Sequence, residues 1–321
     1  MTRVIHKNNL NLEAKLSAFP YQVQAFDALK DLDYAAIFHE QGLGKTKIAI
    51  DLLLYWLQKR DIDTVLIVSK KQLIRNWENE LAAHTFIIPK VLTSDRKENY
   101  YVLNSAGRVI ITNFETLSTE QERIRLFLKT RNVAIIIDES VKIKNPDSKL
   151  TKTYFDLSSL FKIRVIMTGT PVANRPYDIW AQVYFLDQGK SLGADFSEFK
   201  RNADLSNDLA DDSASREIFE NYISSIFEKI SSFTVRETKA STGIDLPQKT
   251  YLSMYADWEE KQRHVYKKVL DEMELEIQRG GQVFIDDESI ALKRLIRLLE
   301  ITSNPALVDE RYSRTSGKER M

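Results

Sequence analysis

The sequence has 321 residues, of which 43% are hydrophobic and 29% charged, enough for one large domain or two modest ones with a sizeable buried core. Its formal net charge is zero and it has no cysteines, so a uniformly basic nucleic-acid coat, a disulfide framework, a thiolate metal site and a cysteine nucleophile are excluded. The polar N-terminus argues against a secretion signal, and the lack of an uncharged apolar stretch of about 18 residues argues against a membrane span.

The first 186 residues alternate short aliphatic runs with helical patterns. The runs are nearly free of polar residues, which is typical of strands buried on both faces of a parallel sheet, and they span residues 35–38, 65–68, 109–111, 133–137 and 164–167. Helical spacing of apolar residues predicts helices over residues 45–59, 72–83 and 121–129, the last opened by a capping box of Ser118 and Gln121. We therefore predict an α/β fold, with a doubly wound, mainly parallel lobe over residues 1–186.

The pattern changes after residue 186. Glycines among Asp and Ser residues, followed by a helical pattern over 215–230, predict a helical insertion over 187–232. Residues 233–257 indicate a return to the lobe with a last strand over 251–255. Residues 258–309 predict a helical extension with amphipathic helices over 258–278 and 288–301, either a partner-binding arm or a solvated surface packed on the lobe. The polar residues 310–321 indicate a linker.

The strongest local signal is the octapeptide His-Glu-Gln-Gly-Leu-Gly-Lys-Thr between a predicted strand and a predicted helix. Its two glycines let backbone N–H groups turn toward phosphate oxygens, and the helix N-terminus adds its dipole. Lys45 supplies a cation to the β- and γ-phosphates, and the Thr46 hydroxyl suits Mg²⁺. His39 stands where the strict phosphate-loop pattern has its first glycine. We predict an ATP-binding loop made of His39, Glu40, Gln41, Gly42, Leu43, Gly44, Lys45 and Thr46.

The run over 133–137 ends in two adjacent carboxylates, Asp138 and Glu139. At the carboxyl end of a parallel strand, these side chains face the crevice in which ligands bind. We predict that Asp138 holds Mg²⁺ and that Glu139 accepts a proton from the water that attacks the γ-phosphate. Together with Lys45, they are the candidate catalytic residues.

Two further segments extend the predicted ATP site. Thr168, Gly169 and Thr170 follow the run over 164–167, and they indicate either a loop that couples the nucleotide state to another site or an ordinary turn. Gln22 lies at the start of a predicted helix, and its amide can both donate to and accept from an adenine edge. An ordinary surface glutamine is the alternative interpretation.

Taken in this order, the segments resemble the Snf-type branch of superfamily-two helicases, the chromatin-remodeller-like ATPases, over about residues 19–308. Tyr21 and Gln22 are similar to the family's adenine-recognition segment. Further segments resemble the family's other motifs. They are residues 40–46 (motif I), 66–77 (motif Ia), 111–117 (the following DNA-side motif), 138–145 (motif II), 168–180 (motif III), and 233–239, 246–249 and 304–308 (the stretch leading to the second lobe). The resemblance implies a RecA-like P-loop lobe that uses ATP and Mg²⁺.

Two features depart from that family. Relatives commonly end motif II in His, whereas this sequence has Val141, so the imidazole that links the ATP site to motif III is missing. The family's arginine-bearing last motif is also not found, and we expect only the first lobe in this chain.

The resemblance further implies a strand-binding face built from single residues of motifs Ia, Ib, II and III. Contacts of this kind grip phosphates and fix register without reading sequence, although a solvated surface charge is an equally good interpretation of each lysine. Trp77 and Trp180 are candidate stacking platforms, but their helical spacing favours core packing. By position, the candidates are Lys70, Lys71, Thr112, Lys142, Lys144, Asn145, Asn174 and Arg175.

We predict the N-terminal lobe of an ATP-driven motor that acts on double-stranded DNA, hydrolysing ATP when a second lobe completes it. The alternatives are a strand-separating helicase or restriction-type motor subunit, and a non-catalytic ATP- or DNA-binding module that acts with a partner. The small size and the lack of cysteines favour a bacterial or viral source and a location in the cytoplasm of the bacterium or host.

Overall fold

The computed structural model describes residues 11–172, 175–203, 213–242, 250–255, 257–271, 274–279, 282–287 and 291–312. The chain divides into two compact units, one over residues 1–245 and the other over residues 246–321. Among the described residues, no helix combines the length and the apolar character needed to cross a bilayer.

The first unit is built on a parallel sheet. Its strands are β1 (Tyr34–Ile37), β2 (Thr64–Ser69), β3 (Lys90–Val91), β4 (Val109–Asn113), β5 (Val133–Asp138), β6 (Ile163–Met167) and β7 (Thr234–Val235). Within the described ranges they form one seven-stranded sheet in the order β3-β4-β2-β5-β6-β1-β7, and every neighbouring pair is parallel. The predicted doubly wound parallel sheet is therefore confirmed.

Helices cover both faces of this sheet. They are α1 (Pro20–Leu29), α2 (Lys45–Lys59), α3 (Ile74–His84), α4 (Arg96–Asn104), α5 (Phe114–Thr119), α6 (Gln121–Thr130), α7 (Lys149–Ser158), α8 (Asp178–Asp187), α9 (Phe196–Ala203) and α10 (Ser213–Ile230). Successive residues of β5 alternate between two hydrophobic clusters: Ile135 and Ile137 pack in one, Ala134 and Ile136 in the other. This alternation explains why the strands read as unbroken apolar runs, since both faces of each strand are buried.

The helices predicted over 45–59, 72–83, 121–129 and 215–230 are confirmed as α2, α3, α6 and α10. The capping box is wrong. Ser118 lies inside α5, where its hydroxyl is 3.2 Å from Oγ1 of Thr153, and α6 begins after Glu120 without a side-chain cap. Because only one residue separates α5 from α6, Ser118 is itself helical and cannot adopt the extended conformation of an N-cap.

The strand order brings three strand ends side by side. β5, β6 and β1 are consecutive in the sheet, and Met167 at the end of β6 is in register with both Asp138 of β5 and Ile37 of β1. Because carboxyl ends of parallel strands share one edge of the sheet, the segments that follow these three strands meet there.

The last strand of the sheet is not the one predicted. Residues 251–255 contain no strand, and their large side chains are between 83% and 95% exposed. The sheet ends instead with β7, where the backbone N–H of Phe38 donates to the carbonyl of Val235 at 2.9 Å. An apolar alternation alone does not make a strand, because a strand also needs a hydrogen-bonded neighbour, and two-residue β7 is too short to give a pattern.

The second unit contains α11 (Glu260–Asp271), the antiparallel strands β8 (Glu274–Arg279) and β9 (Gln282–Asp287), and α12 (Ala291–Ser303). Val265, Val269, Ile301 and Val308 form its small core. The helix predicted over 258–278 is wrong beyond α11, where β8 follows, whereas most of the helix predicted over 288–301 is confirmed as α12. In the sequence, Gly-Gly stands between a run that alternates polar and apolar residues (274–278) and a run with the apolar centre Val-Phe-Ile (283–285), a hairpin signature that the charged composition concealed.

Several predictions fall outside the described residues: those for Asn174, for residues 246–249 and for residues 313–321 of the linker. The first residues of that linker form a short 3₁₀ turn (Glu310–Tyr312). The boundaries of the predicted domains stay a prediction.

Candidate functional site

The loop between β1 and α2 is shaped by two glycines in the left-handed conformation. Gly42 has a φ of 87° and Gly44 a φ of 67°, values that residues with a Cβ rarely adopt. Gly44 also lacks space for a side chain, since a Cβ there would lie 2.3 Å from Nε2 of Gln22. The backbone thereby enters the N-terminus of α2, where unpaired N–H groups and the helix dipole favour an anion.

Gln22 connects α1 to this loop and is almost fully buried. Its Oε1 accepts the backbone N–H of Phe19 at 2.9 Å, and its Nε2 donates to the carbonyl of Leu43 at 3.2 Å. The ring of Tyr21 lies beside it, with a centroid 6.3 Å from that of His39. The structure therefore brings both predicted adenine-site residues to the predicted phosphate loop (residues 39–46), and the amide of Gln22 holds this loop in place.

Lys45 folds back onto its own loop. Its Nζ donates to the carbonyls of His39 at 3.0 Å and Glu40 at 3.3 Å. Burial lowers the pKa of Lys45, and the nearby charges of Asp138, Glu139 and Glu40 oppose this shift. An anion that enters the loop can replace the two carbonyls as the partner of the ammonium group.

Burial also lowers the pKa of His39, whose side chain is fully enclosed, so the neutral imidazole is favoured. A bulky, uncharged ring thus occupies the base of the loop where the strict pattern has glycine.

Asp138 ends β5 and is held by two N–H donors. The indole Nε1 of Trp77 donates to its Oδ2 at 2.9 Å, and the backbone N–H of Glu139 donates to its Oδ1 at 2.9 Å. Burial raises the pKa of Asp138, and the hydrogen bond from Trp77 opposes this shift. Its carboxylate and the Thr46 hydroxyl, in the first turn of α2, are hard oxygen ligands of the type that Mg²⁺ prefers, so the residues present fit that ion.

Glu139 has an unusual backbone conformation. Its φ of 55° and ψ of 50° are left-handed, and Gln188 is the other residue besides glycine with a positive φ in the described chain. Such conformations are strained for residues with a Cβ and concentrate at functional sites. Glu139 also lies close enough to Lys45 for its charge to act on that ammonium group.

The turn after β6 lies directly against the phosphate loop. A Cβ at Gly169 would be 2.9 Å from Cγ of Gln41 and 3.5 Å from Nζ of Lys45, so a side chain there would have to displace Gln41. The buried hydroxyl of Thr168 accepts the backbone N–H of Thr170 at 3.2 Å. The three predicted coupling residues are thus next to the predicted phosphate site.

A buried amide joins this turn to Ser140, the residue that follows the two carboxylates. Gln182 of α8 is fully buried; its Oε1 accepts the hydroxyl of Ser140 at 2.7 Å, and its Nε2 donates to the carbonyls of Pro171 at 2.8 Å and Asp178 at 3.0 Å. Val141, at the position where the family pattern has His, has no polar side-chain atom that could make such a connection. No residue pattern indicated this network, because Gln182 has the spacing of an ordinary residue of an apolar helix.

Glu40 is held by the segment that follows β7. Its Oε2 accepts the backbone N–H of Lys239 at 2.8 Å, and its backbone N–H donates to the carbonyl of Glu237 at 2.9 Å. The hydrogen bond from the Lys239 backbone is the main reason that the pKa of Glu40 is lowered. In this arrangement Glu40 anchors the loop, and its predicted contact with ATP stays a prediction.

A cavity of about 690 Å³ lies beyond the carboxyl ends of β2, β3 and β4. We call it the lysine cavity, because three of the predicted nucleic-acid residues, Lys70, Lys71 and Lys142, line it. All three are exposed, and Lys142 lies 3.4 Å from the carboxylate of Glu115. The rest of its lining is partly polar, from Gln72, Thr93, Ser94, Asn113 and Thr116, and partly apolar, from Ile74, Val91, Leu92 and Phe114.

The other predicted nucleic-acid residues do not line this cavity. Thr112 is fully buried within β4, and Nζ of Lys144 lies 2.9 Å from Oδ2 of Asp178. Asn145 is exposed, and Arg175 lies over the ring of a neighbouring tyrosine. Contact of these residues with nucleic acid stays a prediction.

Both tryptophans considered as stacking platforms are core residues. Trp77 is 2% exposed and Trp180 is 4% exposed. The indole of Trp180 donates to the carbonyl of Gly193 and stacks on Tyr184 with ring centroids 4.8 Å apart. Core packing is therefore confirmed, but the bond from Trp77 to Asp138 was missed because their positions are far apart in the sequence.

Comparisons with known proteins agree with this arrangement. A model of the SNF2-related domain family matches residues 32–307. The ISWI chromatin-remodeling complex ATPase ISW1 of Saccharomyces cerevisiae is 25% identical over 301 residues, which cover 90% of this chain and 25% of that protein. The corresponding ATPase CHR17 of Arabidopsis thaliana is 28% identical over 250 residues, 75% of this chain and 22% of that protein. The chain thus spans about a quarter, or less, of the length of the curated relatives it matches.

Solved structures give a similar result. The Sulfolobus solfataricus SWI2/SNF2 ATPase core in complex with dsDNA matches with a TM-score of 0.57 and 25% identity, over 94% of this chain and 61% of that chain. A second structure, the Sulfolobus solfataricus SWI2/SNF2 ATPase core domain, matches with a TM-score of 0.56 and 25% identity, over 95% of this chain and 62% of that chain.

Proposed function

The chain belongs to the SNF2-related domain family, and from this premise we propose that it is the ATP-binding N-terminal motor lobe of a DNA-dependent ATPase or translocase. In this proposal, the motor hydrolyses ATP to ADP and phosphate when a second lobe completes it. The observation that supports it most is the meeting of the phosphate loop, the carboxylate pair and the Thr168–Thr170 turn at the ends of three adjacent strands.

The side chains at this meeting point have the chemistry that phosphoryl transfer needs. Lys45 binds the β- and γ-phosphates, and Glu139 accepts the proton of the attacking water. Asp138 and Thr46 hold Mg²⁺, which when bound neutralises charge on the phosphates. Tyr21 and Gln22, which lie beside the phosphate loop, contact the adenine.

The Thr168–Thr170 turn is proposed to couple nucleotide state to the rest of the lobe. Gly169 lies against Lys45 and Gln41, so a change in the phosphate loop displaces this turn first. The amide of Gln182 then carries the displacement between Pro171 and the carboxylate turn at Ser140.

Double-stranded DNA is the proposed partner, bound through the lysine cavity. The chain has no net charge, so binding depends on a local group of cations such as Lys70, Lys71 and Lys142. Lysines that contact DNA phosphates and no base edges bind with weak sequence preference and strong salt dependence. The likeness to an ATPase core described in complex with dsDNA supports duplex DNA as the ligand.

A second motor lobe is the other proposed partner. Charge develops on the γ-phosphate during transfer, and a cationic finger that stabilises it raises the rate by roughly 10³–10⁵. We assign this cation to the second lobe, so the present chain binds ATP and Mg²⁺ but turns ATP over very slowly, with or without DNA.

The test combines binding and turnover. ATP is titrated calorimetrically into the purified chain with Mg²⁺, and phosphate release is then measured with saturating duplex DNA, with and without a second lobe supplied by fusion or in trans. We expect binding, very slow release by the chain alone, and DNA-stimulated release when the second lobe is present.

Each other outcome has a distinct meaning. No ATP binding contradicts the whole proposal. Robust release by the chain alone, abolished by Glu139→Gln, contradicts the assignment of the finger to a second lobe. Binding without release even in the two-lobe protein supports a non-catalytic module instead.

A further inference from the structure

Trp77 is fixed in the core by its ring and bound to the functional site by its one polar atom. The indole packs in the same hydrophobic cluster as Ile67 of β2, Ile136 of β5 and Leu81, one turn further along α3. Only Nε1 can hydrogen bond, and it donates to Oδ2 of Asp138 at 2.9 Å. The donor therefore has little freedom to move, because the packed ring carries it.

The two oxygens of Asp138 are held in different ways. Oδ1 accepts the backbone N–H of Glu139, the next residue in the chain, and Oδ2 accepts the indole of Trp77 from another layer of the fold. The terminal torsion of an aspartate has broad, weakly defined minima, so one hydrogen bond does not fix the plane of the carboxylate. Two donors on opposite oxygens do fix it.

The bond also settles which lone pairs remain for other ligands. A carboxylate has about four acceptor sites, and the two donors use one on each oxygen. The remaining sites keep one orientation as long as the indole is in place.

We propose that Trp77 is a positioning residue for the metal-binding carboxylate: it fixes the plane of Asp138 so that its remaining lone pairs stay available to Mg²⁺ bound with ATP. This inference rests on the proposed function, since it takes the site to bind ATP with Mg²⁺. Trp77 itself touches neither ligand. Its indole N–H therefore affects the part of ATP affinity that depends on Mg²⁺ and not the part that the phosphate loop supplies alone.

The experiment measures the affinity of the full chain for ATP by calorimetry, once with saturating Mg²⁺ and once with excess chelator. The ratio of the two affinities is the magnesium gain. The variant is Trp77→Phe, which keeps an aromatic ring and removes the N–H. The matched control is Trp56→Phe, because Trp56 is a fully buried indole in α2 whose Nε1 donates to the carbonyl of Lys30 at 3.1 Å, on another residue altogether.

We expect Trp77→Phe to reduce the magnesium gain by about tenfold, since outer partners of metal ligands typically change metal affinity ten- to a hundredfold. Its chelator-treated affinity stays within about twofold of the wild type. Trp56→Phe keeps the full magnesium gain, even where its melting temperature falls.

The inference is overturned if Trp77→Phe keeps the wild-type magnesium gain, or if it loses affinity equally with and without Mg²⁺, which indicates a distorted phosphate loop. If Trp77→Phe does not fold, benzothienylalanine at position 77 keeps the ring size, replaces the N–H by sulfur and carries the same expectations. A wild-type chain that binds no ATP, or has no magnesium gain, contradicts the proposed function as well. A normal wild-type gain that is unchanged in the variant contradicts this inference alone.

Discussion

The hydroxyl of Ser140 lies 2.7 Å from Oε1 of Gln182, so the turn that carries the two carboxylates is hydrogen-bonded to α8. The same amide donates to the carbonyl of Pro171, which ends the Thr168–Thr170 turn. The side chains of Ser140 and Gln182 are both fully buried. Water therefore does not readily replace either bond, and the two bonds are the route by which we propose that the two turns are coupled.

Replacing this amide leaves buried groups without partners. Gln182→Leu strands the Ser140 hydroxyl and the Pro171 carbonyl, and an unsatisfied buried group costs about 1–3 kcal/mol. With two such groups, we expect urea unfolding to show a loss of about 2–6 kcal/mol, and we expect the two-lobe motor to lose DNA stimulation more than basal ATP hydrolysis. A double-mutant cycle with Ser140→Ala isolates the pair, with a coupling energy of about 0.5–3 kcal/mol. Additive effects of the two substitutions would exclude a direct role for their bond.

Gly44 and Gly193 offer a matched pair of substitutions by alanine. Both have positive φ, but a Cβ at Gly44 would lie 2.3 Å from Nε2 of Gln22, whereas at Gly193 nothing lies within 4 Å. Gly193→Ala therefore carries only the backbone cost, about 1–2 kcal/mol, and keeps normal ATP affinity. Gly44→Ala also displaces Gln22 and the loop, so we expect calorimetry to show at least about a tenfold loss of ATP affinity. Equal ATP affinities in the two variants would contradict the role of this contact.

Lys45→Ala removes the ammonium group that now bridges the carbonyls of His39 and Glu40. Loss of a charged contact to phosphate costs about 1.5–3 kcal/mol, or roughly ten- to a hundredfold in affinity. The measurement is calorimetric titration of ATP with Mg²⁺. Lys59→Ala is the control, because Lys59 is an exposed lysine in the last turn of the same helix. Unchanged affinity in Lys45→Ala would mean that this loop is not the phosphate site.

Glu139→Gln keeps the size and the hydrogen-bonding reach of the side chain but removes its basicity. We expect ATP affinity to stay near the wild-type value and single-turnover hydrolysis by the two-lobe motor to fall by about 10²-fold or more. Glu122→Gln, an exposed position in α6, serves as the control. Hydrolysis at the wild-type rate in Glu139→Gln would assign water activation to another group.

Binding of duplex DNA should depend steeply on salt if the lysine cavity grips phosphates. Each phosphate neutralised by a cation contributes about 0.9 to the slope of log affinity against log salt. Replacing Lys70, Lys71 and Lys142 by Gln together makes the salt dependence less steep and weakens binding to all DNA sequences alike. The control removes the same charge at three exposed lysines outside the cavity, Lys59, Lys97 and Lys129. If both triple variants change the slope equally, the effect comes from net charge and not from the lysine cavity.

Much of the fold followed from local patterns. The aliphatic runs predicted five strands of the sheet, because a strand buried on both faces has no room for polar side chains. The phosphate loop was equally readable, since Gly42 and Gly44 meet a backbone requirement that the sequence states within a few residues. Asp138 and Glu139 could be assigned to the same edge as the loop because parallel strands share their carboxyl ends.

Other features needed the folded chain. The pairing of β7 with β1, the bond from Trp77 to Asp138 and the amide of Gln182 between two turns all join residues far apart in the sequence. The sequence by itself determined the class of fold and the backbone shape of the loop over residues 39–46, because these depend on burial period and on glycine geometry, which are local. Only the tertiary structure decided which buried donors hold Asp138 and which amide joins Ser140 to Pro171, because a hydrogen bond depends on distance and direction between layers, and no residue pattern encodes either.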